Sequence, residues 1–198
     1  MRRHLFGSMT PPITASVRLG VATFVAALIA AGLGGRAGAG EGEWAADLAP
    51  AGTCTASEDA GSPLVAKRRA IVCLVNWARR HHRMRALAPS RPLRRAALEK
   101  GRKVASCGVL THAPCGTDPL AEVRSTGFRY GLFGENIWAG PWGVSARGIV
   151  AGWLASPPHR ANLLRRGYRL LGAGAVHAPG FLGDADGAVW VTTFGTRR

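Results

Sequence analysis

Acidic residues are scarce in this chain of 198 residues: 11 Asp and Glu stand against 26 Lys and Arg, a formal charge of +15. Such an excess favours anionic partners, an envelope polymer or acidic lipid headgroups among them. An arginine-rich background is enough to explain its origin, and it attracts anions all the same. No nucleic-acid recognition motif is present, so no nucleic-acid partner is expected. No internal repeat is visible, and the length suits one domain with a proper core. Cysteine is limited to Cys54, Cys73, Cys107 and Cys115. No pair has the C-x₂₋₄-C spacing of a structural zinc site, so an even count in an exported chain reads as disulfides. Four cysteines allow three connectivities, and local pairing, Cys54–Cys73 and Cys107–Cys115, is expected.

A long apolar run is also missing. Arg2, Arg3 and Arg18 precede residues 19–33, which are apolar but rich in Gly and Ala and short for a membrane span. Ala37-Gly38-Ala39 follows as a small-residue cleavage site. That order predicts a secretory signal peptide over residues 1–39, a mature chain starting near Gly40, and a secreted protein. An uncleaved N-terminal membrane anchor is the alternative. Arg2-Arg3 is a weak twin-arginine signal, because His4-Leu5-Phe6 fits that signal poorly. Losing residues 1–39 removes four basic and no acidic residues, leaving 22 basic against 11 acidic.

What is present reads as a linker or arm over residues 40–61 and a domain over residues 62–198. Ser62-Pro63 opens a helix whose stripe is Ile71, Leu74, Val75 and Ala78. Asn76, beside the stripe, is expected to hydrogen-bond a loop backbone. Adjacent His81 and His82 could bind metal, but a solvated helix end that suits the dipole is the expected reading. After Pro89-Ser90-Arg91-Pro92 a second helix carries Leu93, Ala96, Ala97 and Val104, with Gly101 allowing close packing. Asp118-Pro119 starts a short helix that Gly127 stops. Residues 128–133 read as loop and residues 135–139 as a strand. Ser145 caps a helix bearing Ile149, Val150, Trp153 and Leu154. Strands near residues 170–177 and 188–194 close a small sheet with helices on both faces.

Three residues invite chemistry: His112 in the loop between Cys107 and Cys115, Glu135 between Gly134 and Asn136, and His159 after Pro157-Pro158. Two imidazoles and a carboxylate suit Zn²⁺ or another divalent cation. In the metal-free state Glu135 is expected to raise the pKa of either neighbouring histidine. The same set could serve a metal-assisted, peptidase-like hydrolase with Glu135 as base. No nucleophile is evident: Ser156 reads as a capping or loop residue, and the cysteines are taken as oxidised. Binding rather than turnover is therefore expected.

The chain resembles the CAP superfamily, also called the SCP domain, which groups cysteine-rich secretory proteins, antigen 5 and pathogenesis-related proteins. It looks closest to the compact, secreted bacterial branch. The resemblance is carried by Leu74-Val75-Asn76 with Arg79, by Leu110-Thr111-His112, and by Gly134-Glu135-Asn136-Ile137. It continues through His159-Arg160-Ala161-Asn162, Leu171-Gly172-Ala173-Gly174 and Trp190-Val191. It covers residues 64–195. It implies a three-layer α/β/α sandwich with a small, largely antiparallel central sheet, and a cleft lined by His112, His159 and Glu135. A second cleft acid, common in relatives, is Asp118, Glu122 or none here: Asp118 looks like a helix cap, and Glu122 stands where bacterial relatives often have an arginine. The activities it suggests are sterol or fatty-acid binding, metal binding, proteolysis and signalling. A lipid-binding module is thus a third reading, with Trp138, Trp142 and Trp153 near the cleft stretch. A monomer is expected.

Overall fold

The structure, a computed structural model, describes residues 42–198. The expected signal peptide, residues 1–39, lies outside them. No described helix is long and apolar enough to cross a membrane.

After a short turn of helix, α1 (Gly42–Ala45), and an irregular arm, the first long helix is α2 (Leu64–His81). Its stripe of Ile71, Leu74, Val75 and Ala78 is fully buried. Ser62 does not cap it. The Ser62 hydroxyl donates to Asp59 Oδ2 at 2.7 Å, and Pro63 takes the N-cap position. Asn76 behaves as expected, donating to Leu87 O at 3.0 Å and accepting from Leu87 N at 2.8 Å.

A two-residue strand, β1 (Ala88–Pro89), follows, a piece the proline-rich sequence concealed. Helix α3 (Arg91–Cys107) starts at Ser90, whose hydroxyl accepts from Leu93 N at 3.4 Å, and ends at Gly108 with φ 69°. The short α4 (Ala121–Ser125) precedes β2 (Tyr130–Pro141). Next come α5 (Ala146–Ala155), capped by Ser145, then α6 (Pro157–Leu163), β3 (Leu170–His177) and β4 (Gly187–Arg197). Strand β2 begins earlier than the sequence suggested because β4 pairs with it as far as Tyr130 opposite Arg197.

The sheet order is β1-β3-β4-β2. All pairings are antiparallel except the short parallel contact of β1 with β3, so the sheet is mixed. Strand β4 is buried on both faces, and its alternate residues sort the two cores. Ala188, Trp190 and Phe194 pack with α2, α5 and Trp153. Val189 and Val191 pack with Ala97 and Val104 of α3. Burying a side chain of the larger kinds contributes about 1.5–3 kcal/mol. Helices on both sides of one sheet make the three-layer α/β/α sandwich.

Gly172 and Gly174 let α3 lie directly on β3: a Cβ at Gly172 would sit 2.2 Å from the Leu93 carbonyl carbon. The arm packs rather than dangles. Asp47, Ala49, Cys54 and Ser57 are buried, and Arg147 N donates to Ser57 O at 2.8 Å. Both disulfides pair locally, Cys54–Cys73 and Cys107–Cys115, leaving no free cysteine.

Candidate functional site

His112 lies on the loop after α3, which the Cys107–Cys115 bond closes over eight residues. A second tie holds the loop from below. Lys100, fully buried in α3, donates to His112 O at 2.6 Å and to Pro119 O at 3.0 Å. The imidazole itself is exposed, at 55%, and its Nδ1 lies 2.8 Å from Glu135 Oε1.

Glu135 sits on β2, with its side chain only 6% exposed. Burial raises its pKa, an effect that the His112 hydrogen bond and the Lys100 charge only partly offset. Lys100 Nζ stands 4.0 Å from Glu135 Oε1 and 2.8 Å from Glu122 Oε2. Glu122 is buried as well, and Lys103 reaches its other oxygen at 3.0 Å. Both oxygens are thus met by ammonium groups at ion-pair distance, although neither contact has hydrogen-bond alignment. Burial pushes the Glu122 pKa up, but the two lysines outweigh it and the net shift is downward. Glu122 therefore faces two lysines. Asp118 does not cap α4, whose N-cap is Leu120 with no side-chain cap: it accepts from Leu120 N at 2.8 Å in the turn before the helix and pairs with Arg124.

His159 lies in the first turn of α6. Its Nδ1 is 2.8 Å from the hydroxyl of Ser156, which here holds a ring rather than a helix end. Burial, and after it the charge of His112, lowers the His159 pKa. This reverses the expected direction for that histidine, because desolvation governs it and Glu135 is engaged by His112.

Backbone ties bring β2 and α6 together. Asn136 Nδ2 donates to His159 O at 3.0 Å. Asn162 Nδ2 donates to Glu135 O at 3.1 Å and to Asn136 Oδ1 at 3.0 Å. Tyr168 donates to Phe133 O at 3.1 Å, and a side chain at Gly134 would collide with its hydroxyl. The Gly-Glu-Asn and His-Arg-Ala-Asn elements are one hydrogen-bonded unit that carries Glu135 and His159 on its rim.

Sequence reasoning missed Lys100, yet it had a signal. Lys100 falls on the same helical face as Leu93, Ala96, Ala97 and Val104, where a charge must be buried and partnered. His81 and His82 stand at an exposed helix end, as expected, but their partner was missed. His81 Nδ1 and His82 Nε2 lie 2.9 and 2.7 Å from Asp47 Oδ1, so they do not simply face solvent. Among the described residues, Asp47, His81 and His82 form the one group of three His, Cys, Asp or Glu whose ligand atoms all lie within 4.8 Å of one another. His112, Glu135 and His159 are not gathered that closely.

No curated protein matches the sequence. Solved structures do. An extracellular protein containing an SCP domain from Bacillus anthracis is 21% identical with a TM-score of 0.57, over 68% of this chain and 41% of that one. An outer surface protein from Borrelia burgdorferi is 19% identical with a TM-score of 0.60, over 69% of this chain and 97% of that one. A cysteine-rich secretory protein from Staphylococcus aureus is 16% identical with a TM-score of 0.53, over 67% of this chain and 40% of that one. The chain thus spans about two fifths of the Bacillus and Staphylococcus proteins. Residues 72–194 match the CAP family, the Cysteine-rich secretory protein family, and the chain belongs to it.

Proposed function

We propose that this is an exported CAP protein that acts by binding, and that its cleft takes a divalent cation on His112 and His159. One observation carries the reading. The Nδ1 atom of each imidazole is engaged by an oxygen partner, Glu135 Oε1 for His112 and Ser156 Oγ for His159. Such partners fix ring orientation and leave Nε2 as the donor of a lone pair, the usual arrangement behind a histidine ligand. Glu135 supports the site as the carboxylate that orients His112, and solvent fills the rest of the shell. A bound cation would supply a Lewis acid. Every cysteine is in a disulfide, so no thiolate is available, and Glu135, the base that metal-assisted hydrolysis would need, is engaged by His112. Binding is therefore favoured over a peptidase-like activity. Export is supported by the N-terminal sequence and by the likeness to an extracellular Bacillus protein and an outer surface protein of Borrelia.

The test is calorimetric titration of the full chain with Zn²⁺ at pH 7.5 and 5.5. H112A and H159A should each lose most of the cleft affinity. E135Q, which touches only an orienting partner, should lose roughly 10-fold or more. Binding should weaken as pH falls through about 6.5, because protons compete for the imidazole lone pairs. Cleft affinity unchanged in H112A and H159A would overturn the reading.

A second reading, an anionic amphiphile such as a lipid, is favoured by a separate cavity of about 430 Å³ between α2, α3 and β3. Arg68, Arg69, Arg91 and Arg94 line it beside Val65 and Leu171, and no acid does. Burial, and then the charge of Arg94, lowers the Arg68 pKa, as befits a cation short of an anion. Lipid recovered with the purified protein and lost in R68A/R94A would support this reading. An empty extract from both proteins would contradict it.

A further inference from the structure

We propose that Asp47, His81 and His82 form a second divalent-cation site, independent of the cleft, that clasps the N-terminal arm to the end of α2. The ligand atoms would be Asp47 Oδ1, His81 Nδ1 and His82 Nε2, with water completing the shell of a borderline ion such as Zn²⁺.

Helix geometry explains why two consecutive histidines can converge. On a continuing helix their side chains would diverge by about 100°. Helix α2 stops here: His81 is its last residue, and His82 is the C-cap, with φ −89° and ψ 19°. One ring then offers its near nitrogen and the other its far one, and both reach the same oxygen. The nitrogen–oxygen distances are 2.9 and 2.7 Å. Tetrahedral Zn²⁺ with bonds of about 2.0–2.1 Å separates its ligands by roughly 3.3 Å. Each contact would therefore open by roughly half an ångström. The two rings, 50% and 44% exposed, can turn to allow this, while Asp47, at 5%, stays fixed.

Charge favours the same conclusion. Asp47 is buried, and among the described residues its only ion-pair partners are these two imidazoles, which crowd one oxygen. A buried carboxylate is costly without a cation, and a divalent ion would supply one while taking a lone pair from each ring. The arginines just before the pair do not occupy the spot. Arg79 turns inward to Arg85 O and Leu163 O, and Arg80 lies over the Trp77 ring at 5.9 Å. The last turn of α2 also presents the negative end of its dipole, which suits a cation.

The consequence lies in the arm. The Cys54–Cys73 disulfide holds it at one point, and Asp47 holds it seven residues earlier in the chain. Cation binding would fix the first described stretch, including α1, against the helix end.

The experiment uses the full chain carrying H112A/H159A, so that cleft binding cannot mask the result. Zn²⁺ titration of this protein should still show one equivalent bound. Adding D47N, or H82A alone, should lower that affinity at least tenfold. The folded state of each variant is checked by circular dichroism, and H82A leaves the disulfide and the Asp47–His81 contact in place. Hydrogen exchange in residues 44–52 should slow at least threefold with Zn²⁺, and this slowing should be absent in H82A. No binding in the H112A/H159A protein would overturn the site even if the wild type binds through its cleft. Binding that survives both D47N and H82A would overturn it too.

Discussion

Among the described residues three long cationic side chains are buried, and each is bound by backbone carbonyls. Lys100 donates to His112 O and Pro119 O, Arg79 to Arg85 O and Leu163 O, and Lys67 to Val144 O at 3.1 Å. Each cation thereby pins a loop or a chain end that has no regular structure of its own. Lys100 does most, because it also pairs with Glu122 and stands near Glu135. Removing one partner of a buried pair strands the other, so K100M should cost about 3–5 kcal/mol of stability by denaturant unfolding. The K100M/E122Q double variant should recover part of that loss, since it also removes the stranded carboxylate. Glu135 gives a test with the opposite sign. Its folded-state pKa is raised, mainly by burial. The folded protein therefore holds that proton more tightly than the unfolded chain, and ionising Glu135 costs stability as pH rises. E135Q should melt above the wild type at pH 7, and the gain should vanish near pH 4. These residues were unequally legible. His112, Glu135 and His159 stood out through the motifs around them. Lys100 was visible as a breach in an apolar stripe. Asp47 gave no signal, because its partners lie 34 and 35 residues away, beyond an arm of small residues.

Helices were legible where an apolar stripe recurs at helical spacing, as in α2, α3 and α5. The strand β1 was not, since two residues carry no period and their pairing with Leu170 and Leu171 is set by tertiary contact. The beginning of β2 was hidden for the same reason: its partner, the end of β4, is more than sixty residues away. Close contact between α3 and β3 rests on glycine. G172A would drive a methyl group into the Leu93 backbone, and it should cost at least 1–3 kcal/mol in thermal or denaturant unfolding. The His112 loop rests on the Cys107–Cys115 bond and on Lys100. Replacing both cysteines by serine should cost about 2 kcal/mol. It should also weaken Zn²⁺ binding at the cleft while leaving the Asp47 group untouched, because only the cleft includes that loop.

The whole molecule joins an α/β/α sandwich to a rim on which two imidazoles arrive from different layers, His112 from the α3 side and His159 from α6. The sandwich was legible from sequence because the Gly-Glu-Asn and His-Arg-Ala-Asn elements occur in order, and the structure joins them through Asn136 and Asn162. The electrostatic state of the rim was not legible, since it depends on how deeply Glu135 and His159 sit. The central claim is that each cleft imidazole is held at Nδ1 and binds a cation through Nε2. Long-range ¹H–¹⁵N NMR of the histidine rings in the full chain, with and without Zn²⁺, tests this most directly. The account predicts that the Nε2 resonances of His112 and His159 shift together on adding Zn²⁺ while their Nδ1 atoms keep a proton. Resonances of both rings that stay in place at saturating Zn²⁺, or that shift only at Nδ1, would contradict it.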